Sequence, residues 1–243
     1  PAGAATRLPE LVRLDLASLT SVRAAAAQVR ARTPVLDLLV LNAGVMAVPR
    51  QLTEDGFERQ LGTNHLGHFA LTGLLLPALL AARAPRVVGV SSVAHRSGRI
   101  DLDDLMGERR YGRWRAYGQS KLANLLFARE LQRRAGDRLL VASAHPGYSS
   151  TNLQQGHGNP LLGLASRLGN ALVGQSPRSG AWPQLYAATM PDVRPGDYWG
   201  PRGPGELRGH PVRVGRSAAA QDDAVAHLLF DRSEDLTGVR YDL

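Results

Sequence analysis

The chain has 243 residues, 44% hydrophobic and 21% charged, which suits one α/β domain with a sizeable core. It has no cysteine, so disulfides, thiolate metal sites and cysteine nucleophiles are excluded, and a reducing, cytoplasmic setting is the expectation. The net charge is +8, but the arginines are scattered and aromatics make up only 5%. The excess therefore reads as a solvated arginine-rich surface that also suits anionic cofactor phosphates, with no nucleic-acid partner.

Pro1–Glu10 lacks the basic start and apolar run of a signal peptide. Leu11–Leu16 reads as a strand, followed by a helix from Ser18 to Arg32. Val35–Leu41 is a nearly continuous apolar run, as expected for a strand covered on both faces. A helix from Thr53 to Ala82 follows, long enough that Gly62, Gly67 or Pro77 should bend or break it. Its apolar stretch Phe69–Ala82 is too short to span a bilayer, so no membrane partner is expected. Arg86–Ser92 is the next strand, Trp114–Ala135 a helix, and Leu139–Ala144 a strand ending at His145-Pro146-Gly147. Asn159–Gly174 and Pro177–Met190 read as helices of a substrate lid spanning 150–215, with Asp192–Gly215 irregular. Ser217–Asp235 is a final helix. Short apolar runs alternating with helical patterns predict βαβ units and a parallel sheet, and no internal repeat argues for more than one domain.

Of the 29 lysines and arginines only Lys121 is a lysine, and it stands four residues after Tyr117. In a helix the two share a face. A lysine ammonium is a compact point charge where a guanidinium is a wide planar fork. Bringing a phenol from about 10 to near neutrality costs about 4 kcal/mol. One charge about 5 Å away at an effective dielectric near 20 supplies roughly 3 kcal/mol of that. By spacing alone an exposed helix carrying an ordinary Tyr and Lys is the default reading. Context reverses it. Asn42-Ala43-Gly44, Ser91-Ser92 and Pro146-Gly147 each stand at the end of a predicted strand, with Asn64 in the helix between the first two and Thr151 just beyond the last. Ligands gather at the carboxyl ends of parallel strands.

Several stretches carry a resemblance: LDLASLTSVR (Leu14–Arg23), LNAG (Leu41–Gly44), LGTNHLGHFALT (Leu61–Thr72), VSSVAH (Val90–His95), AYGQSKLANLLFARELQRR (Ala116–Arg134) and HPGYSSTNL (His145–Leu153). In order and spacing they resemble the short-chain dehydrogenases/reductases, and TNHLGHF with YGQSKLANLLF resembles the retinol-dehydrogenase-like branch. The resemblance implies a Rossmann-type doubly wound parallel sheet and hydride transfer between a nicotinamide cofactor and a carbonyl or alcohol of lipophilic character. It further implies Tyr117 as general acid/base, Lys121 lowering its pKa and bonding the nicotinamide ribose, and Ser92 orienting the substrate carbonyl. Asn64 would hold a water linking Lys121 to solvent. Asp15 and Leu16 would lie by the adenine, Asn42, Ala43 and Gly44 by the adenosine ribose, and Pro146, Gly147 and Thr151 by the nicotinamide. The implied cofactor is NADP or NAD, NADP being placed first, and a homo-oligomer is an expectation.

His65 and His68 are read as packing or hydrogen-bonding residues of a helix, with no metal site. His95 lies near enough to the proposed site to be a candidate for substrate contact. The family's glycine-rich phosphate loop is absent, and the Gly200–Gly209 cluster, interrupted by two prolines, does not replace it. The sheet is therefore expected to lack its first two strands, with a preceding segment expected to supply them. The competing reading is a truncated, non-catalytic relative that acts by binding a partner.

Overall fold

A computed structural model describes residues 9–147 and 176–243; Thr151 and the predicted helix Asn159–Gly174 lie outside the described residues. Among the described residues the sheet has five strands in the order β1 (Leu38–Leu41), β2 (Arg86–Val90), β3 (Leu140–Ala144), β4 (Tyr198–Pro201) and β5 (Pro211–Arg213). β1 to β4 are parallel and β5 returns antiparallel along β4. Side chains alternate across the strands, so two cores form. On one face Leu41, Val87 and Val141 pack with Phe69, Phe127 and Phe230. These rings belong to α3 (Gly67–Leu80), α4 (Arg113–Ala135) and α7 (Asp223–Thr237). On the other face Val88, Ala142 and Ala144 pack with Trp199, Val193 and Ala187 of α6 (Trp182–Thr189). Helices on both faces of a parallel sheet make this the doubly wound arrangement expected.

α1 (Leu19–Arg32) begins where the Ser18 side chain accepts the Ser21 N–H. The long predicted helix is broken, and the break lies at its glycines: α2 (Arg59–Leu61) passes into a π-helical turn, Gly62–Leu66, before α3. α3 then runs on through Pro77. Glu58 starts α2, its carboxylate accepting the Gln60 and Leu61 N–H groups at 3.0 and 2.8 Å. The predicted helix Pro177–Met190 likewise divides, into α5 (Pro177–Gly180) and α6.

Two expectations are corrected. Leu11–Leu16 is not a strand. Asp15 instead folds locally: its Oδ1 accepts the Ala17 N–H at 2.9 Å and its carbonyl accepts the Ser18 N–H at 3.2 Å. A strand needs a neighbour to hydrogen-bond, and among the described residues the sheet ends at β1, with no strand beside it for Leu11–Leu16 to pair with. The second correction is 192–215, which is not irregular throughout but contains β4 and β5. Glycine and proline there punctuate short strands at the sheet's far edge, where proline is tolerated.

Candidate active site

Three features bring the end of β2 against α4. The Ser91 hydroxyl donates to the Lys121 carbonyl at 2.8 Å. A Cβ on Gly98 would lie 2.4 Å from the Gly118 carbonyl oxygen, and one on Gly118 3.0 Å from that of Ala94. Only glycines let the two backbones approach so closely. This contact sets Tyr117 beside Ser92. Ser92 caps the 3₁₀ turn Val93–Ser97, its Oγ accepting the Ala94 N–H at 3.2 Å, and its side chain lies near enough to the Tyr117 phenol to lower its pKa. With one Oγ lone pair engaged by Ala94, the hydroxyl proton is free to point at the phenol oxygen.

Tyr117, Ser120, Lys121 and Asn124 recur at one-face helical spacing, and all four are buried. The Lys121 ammonium donates to the Val90 carbonyl at 3.2 Å and lies 5.8 Å from the centre of the Tyr117 ring. Asn124 Nδ2 donates to the same carbonyl at 3.1 Å. Burial brings the lysine down to about 8. The Tyr117 phenol is pushed up by burial, against which the neighbouring Ser92 side chain acts downward. Among protein groups, desolvation therefore outweighs attraction for both members of the pair.

Asn64 sits in the π-helical turn, a form of backbone that recurs at functional positions. Its Oδ1 accepts the Val45 N–H at 2.7 Å, and its Nδ2 donates to the Val45 carbonyl and the Ser120 hydroxyl, both at 2.9 Å. Its main-chain carbonyl accepts His68 Nδ1–H at 2.9 Å. Asn64 thus joins the loop after β1 to α4. A Cβ on Gly44 would come within 2.8 Å of Asn64 Oδ1 and 3.4 Å of Lys121 Nζ, so glycine is required for this approach.

The structure therefore gathers Gly44, Asn64, Ser92, Tyr117 and Lys121 at the carboxyl ends of β1 and β2. Asn42 and Ala43 lie exposed just beyond β1. Pro146 and Gly147 follow β3, with Gly147 at φ 71° against the Leu207 and Glu206 carbonyls. Asp15 stands apart, exposed, its side chain turned to its own backbone. Leu16 is buried with its carbonyl against Gly67.

The histidines are occupied by structural bonds. His65 Nε2–H donates to Ser233 Oγ at 2.8 Å, since the Ser233 hydroxyl itself goes to the Leu229 carbonyl. Burial, aided by neighbouring charge, lowers His65 to about 3; burial is also the main cause holding His68 at about 4. His95, read as a candidate for substrate contact, is fully buried. Its Nδ1–H donates to the Ser92 carbonyl at 2.7 Å and its Nε2 accepts the Ser217 N–H at 3.3 Å. Both ring nitrogens are engaged by backbone, so that reading falls. The sequence reading missed Ser120 and Asn124, although their spacing from Tyr117 places them on its face. It also missed Glu206, for which no local pattern exists.

A family profile described as short chain dehydrogenase matches residues 4–160. Polyprenol dehydrogenase of Mus musculus is 50% identical over 187 residues, covering 74% of this chain and 56% of that protein. Retinol dehydrogenase 14 of Mus musculus is 43% identical over 231 residues, covering 93% of this chain and 66% of that protein. The chain thus spans just over half to about two thirds of these relatives. The crystal structure of an uncharacterized protein from Mycobacterium paratuberculosis superposes with a TM-score of 0.76 at 47% identity, covering 95% of this chain and 76% of that one. The 3-alpha-hydroxysteroid dehydrogenase from Pseudomonas sp. B-0831, complexed with NADH, superposes at 0.58 with 26% identity over 74% of this chain and 76% of that one.

Proposed function

The chain belongs to the short-chain dehydrogenase family, and we propose that it carries the proton-transfer half of an NAD(P)-dependent oxidoreductase acting on a lipophilic alcohol or its carbonyl. The observation that carries this reading is the buried Tyr117 phenol beside Ser92, with the Lys121 ammonium 5.8 Å from the centre of its ring. The lipophilic substrate class is supported by the polyprenol and retinol dehydrogenase relatives.

The residues present fit the nicotinamide and ribose part of a dinucleotide. Lys121 is a buried cation beside a glycine-lined approach at Gly44, and Asn42 and Ala43 lie exposed at the same strand end. When bound, the nicotinamide supplies or accepts the hydride. Tyr117 Oη then gives its proton to the substrate oxygen in reduction, or takes it in oxidation. The Ser92 hydroxyl hydrogen-bonds the same oxygen and steadies charge developing on it. Lys121 holds positive charge next to the phenol, favouring phenolate when one forms. Asn64 fixes the loop after β1 relative to α4 through Val45 and Ser120. Because burial holds the phenol protonated, the resting site is armed as an acid. Carbonyl reduction should hold its rate through neutral pH, while alcohol oxidation should climb with pH as phenolate forms.

The family's glycine-rich phosphate loop is not in this sequence, so the residues named account for the nicotinamide and ribose part alone. The test is fluorescence titration of the chain, and of any N-terminally longer form, with NADPH and NADH, NADPH being expected to bind tighter. Tyr117→Phe in the binding form should then cut turnover by about 100-fold or more with little change in dinucleotide affinity. Substantial turnover in Tyr117→Phe would remove Tyr117 from its role. Failure of every form to bind either nucleotide would favour the partner-binding alternative.

A further inference from the structure

Glu206 lies in the loop between β4 and β5, and it is one of two residues other than glycine, among those described, with a positive φ (57°). A side chain bearing a β-carbon disfavours that left-handed conformation. Something must hold it there, and the carboxylate shows what. Oε1 accepts Arg96 Nη2 at 2.7 Å and Oε2 accepts His145 Nε2–H at 2.9 Å. Arg96 belongs to the turn that Ser92 caps, whose other end is tied to the Ser92 carbonyl through His95. His145 ends β3, and its Nδ1 accepts the Gly147 N–H at 3.2 Å. One carboxylate therefore reaches two separate turns of the site.

The proton positions are fixed by the partners. An amide N–H can only donate, so His145 Nδ1 is the unprotonated nitrogen and Nε2 carries the hydrogen given to Glu206. Burial keeps this imidazole neutral, at about 4, so the contact is a neutral-donor hydrogen bond and not an ion pair. The loop also presses on the second turn directly, for a Cβ on Gly147 would meet the Leu207 carbonyl at 2.5 Å and that of Glu206 at 2.9 Å. A half-exposed Arg96–Glu206 pair alone would contribute too little to account for the backbone conformation. The His145 side chain, by contrast, has no exposure, and a lost partner there leaves a buried donor unmet.

We propose that Glu206 is a positioning residue that fixes the Ser92 turn and the Pro146–Gly147 turn at one separation, so that proton delivery and cofactor placement stay in register. The proposal rests on the reading of the site as a hydride- and proton-transfer centre. Glu206→Gln is a discriminating change. Its amide can keep oxygen on only one of the two partners, so its NH₂ must face either the Arg96 guanidinium or His145 Nε2–H. In the second orientation His145 must move its proton to Nδ1, where it opposes the Gly147 N–H.

The first readout is ¹⁵N NMR of histidine-labelled chain. His145 in the unchanged protein should be the Nε2–H tautomer; Glu206→Gln should either lose that signature and speed exchange of the Gly147 amide, or keep it while releasing Arg96 from the loop. The second is kinetics of the dinucleotide-binding form. There Glu206→Gln should lower kcat about 10- to 100-fold at temperatures where the fold is intact, beyond what its fall in thermal midpoint accounts for, and Arg96→Gln, which leaves the His145 bond, should have a smaller effect. An unaltered tautomer with unaltered kcat would overturn the proposal. So would a kcat loss that merely follows a fall in thermal midpoint. If the unchanged protein neither binds dinucleotide nor turns over, the functional reading fails and this role falls with it; the NMR arm then still decides whether Glu206 ties the two turns together.

Discussion

Val40 and Val88 face each other in register on adjacent parallel strands, yet Val40 is 40% exposed and Val88 is fully buried. The difference separates two regions of one sheet. From β2 to β4 both faces are covered, and the turns after the strands are sewn together by Ser91, His95, His145 and Glu206. At β1 only one face is covered: Leu39 and Leu41 pack inward, while Leu38 and Val40 stand open and Leu11 is almost wholly exposed. The residues proposed for proton transfer lie on the closed side. Those proposed for the adenosine end of a dinucleotide, Asp15, Asn42 and Ala43, lie at the open edge. Preorganisation is thus unequal: the chemical groups are held in a dry, fixed frame, while the edge offers unpaired backbone and apolar surface.

The largest expected effect comes from acid on the closed region. His65, His68 and His145 are held at about 3, 4 and 4, below the unfolded value of 6.5. Their folded pKa values are depressed, so the stability they contribute is present above pH 6.5 and is lost as pH falls toward 4. Between pH 6.5 and 5 the loss should be about 1.5 kcal/mol per histidine. Urea melts at the two pH values measure it, and a flat profile would mean these rings are not buried neutral.

Next is packing. Gly98→Ala should destabilise by about 1–3 kcal/mol, since the new methyl group meets the Gly118 backbone; urea melts that match the unchanged protein would show that the turn after β2 can move away from α4. A gain comes third. Lys121→Met should stabilise the fold at pH 7 by about 1–3 kcal/mol, because it removes a cation whose pKa burial has lowered to about 8. That gain should be full below pH 8 and vanish as pH rises toward 10.5, where lysine is neutral in both states. Val40 carbonyl and backbone bonds aside, the smallest effect belongs to the open edge: Val40→Lys should change stability by less than about 0.5 kcal/mol while reducing aggregation. A loss of about 2 kcal/mol or more in thermal or urea melts would show that this face is covered in solution and would erase the contrast.

Periodicity and spacing alone were enough for α1, α4, β2 and β3, and for placing Tyr117 and Lys121 on one face of a helix. The strand ends carrying Gly44 and Ser92 were legible for the same reason, since an apolar run ending in Asn-Ala-Gly or Ser-Ser marks the sheet's carboxyl edge from sequence neighbours only. The π-helical turn at Asn64 could be expected as a break near Gly62 but not as that form, which depends on packing against Val45 and Ser120. β4 and β5 hid among glycines and prolines because a short edge strand exists only by virtue of its partner.

What the sequence by itself determined is the set of elements whose signal is local: helical faces, apolar strands, and the chemical groups at their ends. Tertiary structure decided what depends on partners far along the chain. It denied Leu11–Leu16 a strand for want of a neighbour, turned His95 from a candidate for substrate contact into a backbone clamp, and brought Glu206 to His145. Backbone periodicity repeats every few residues and can be read in place, whereas a hydrogen bond between residues 145 and 206 has no trace in either one's neighbours.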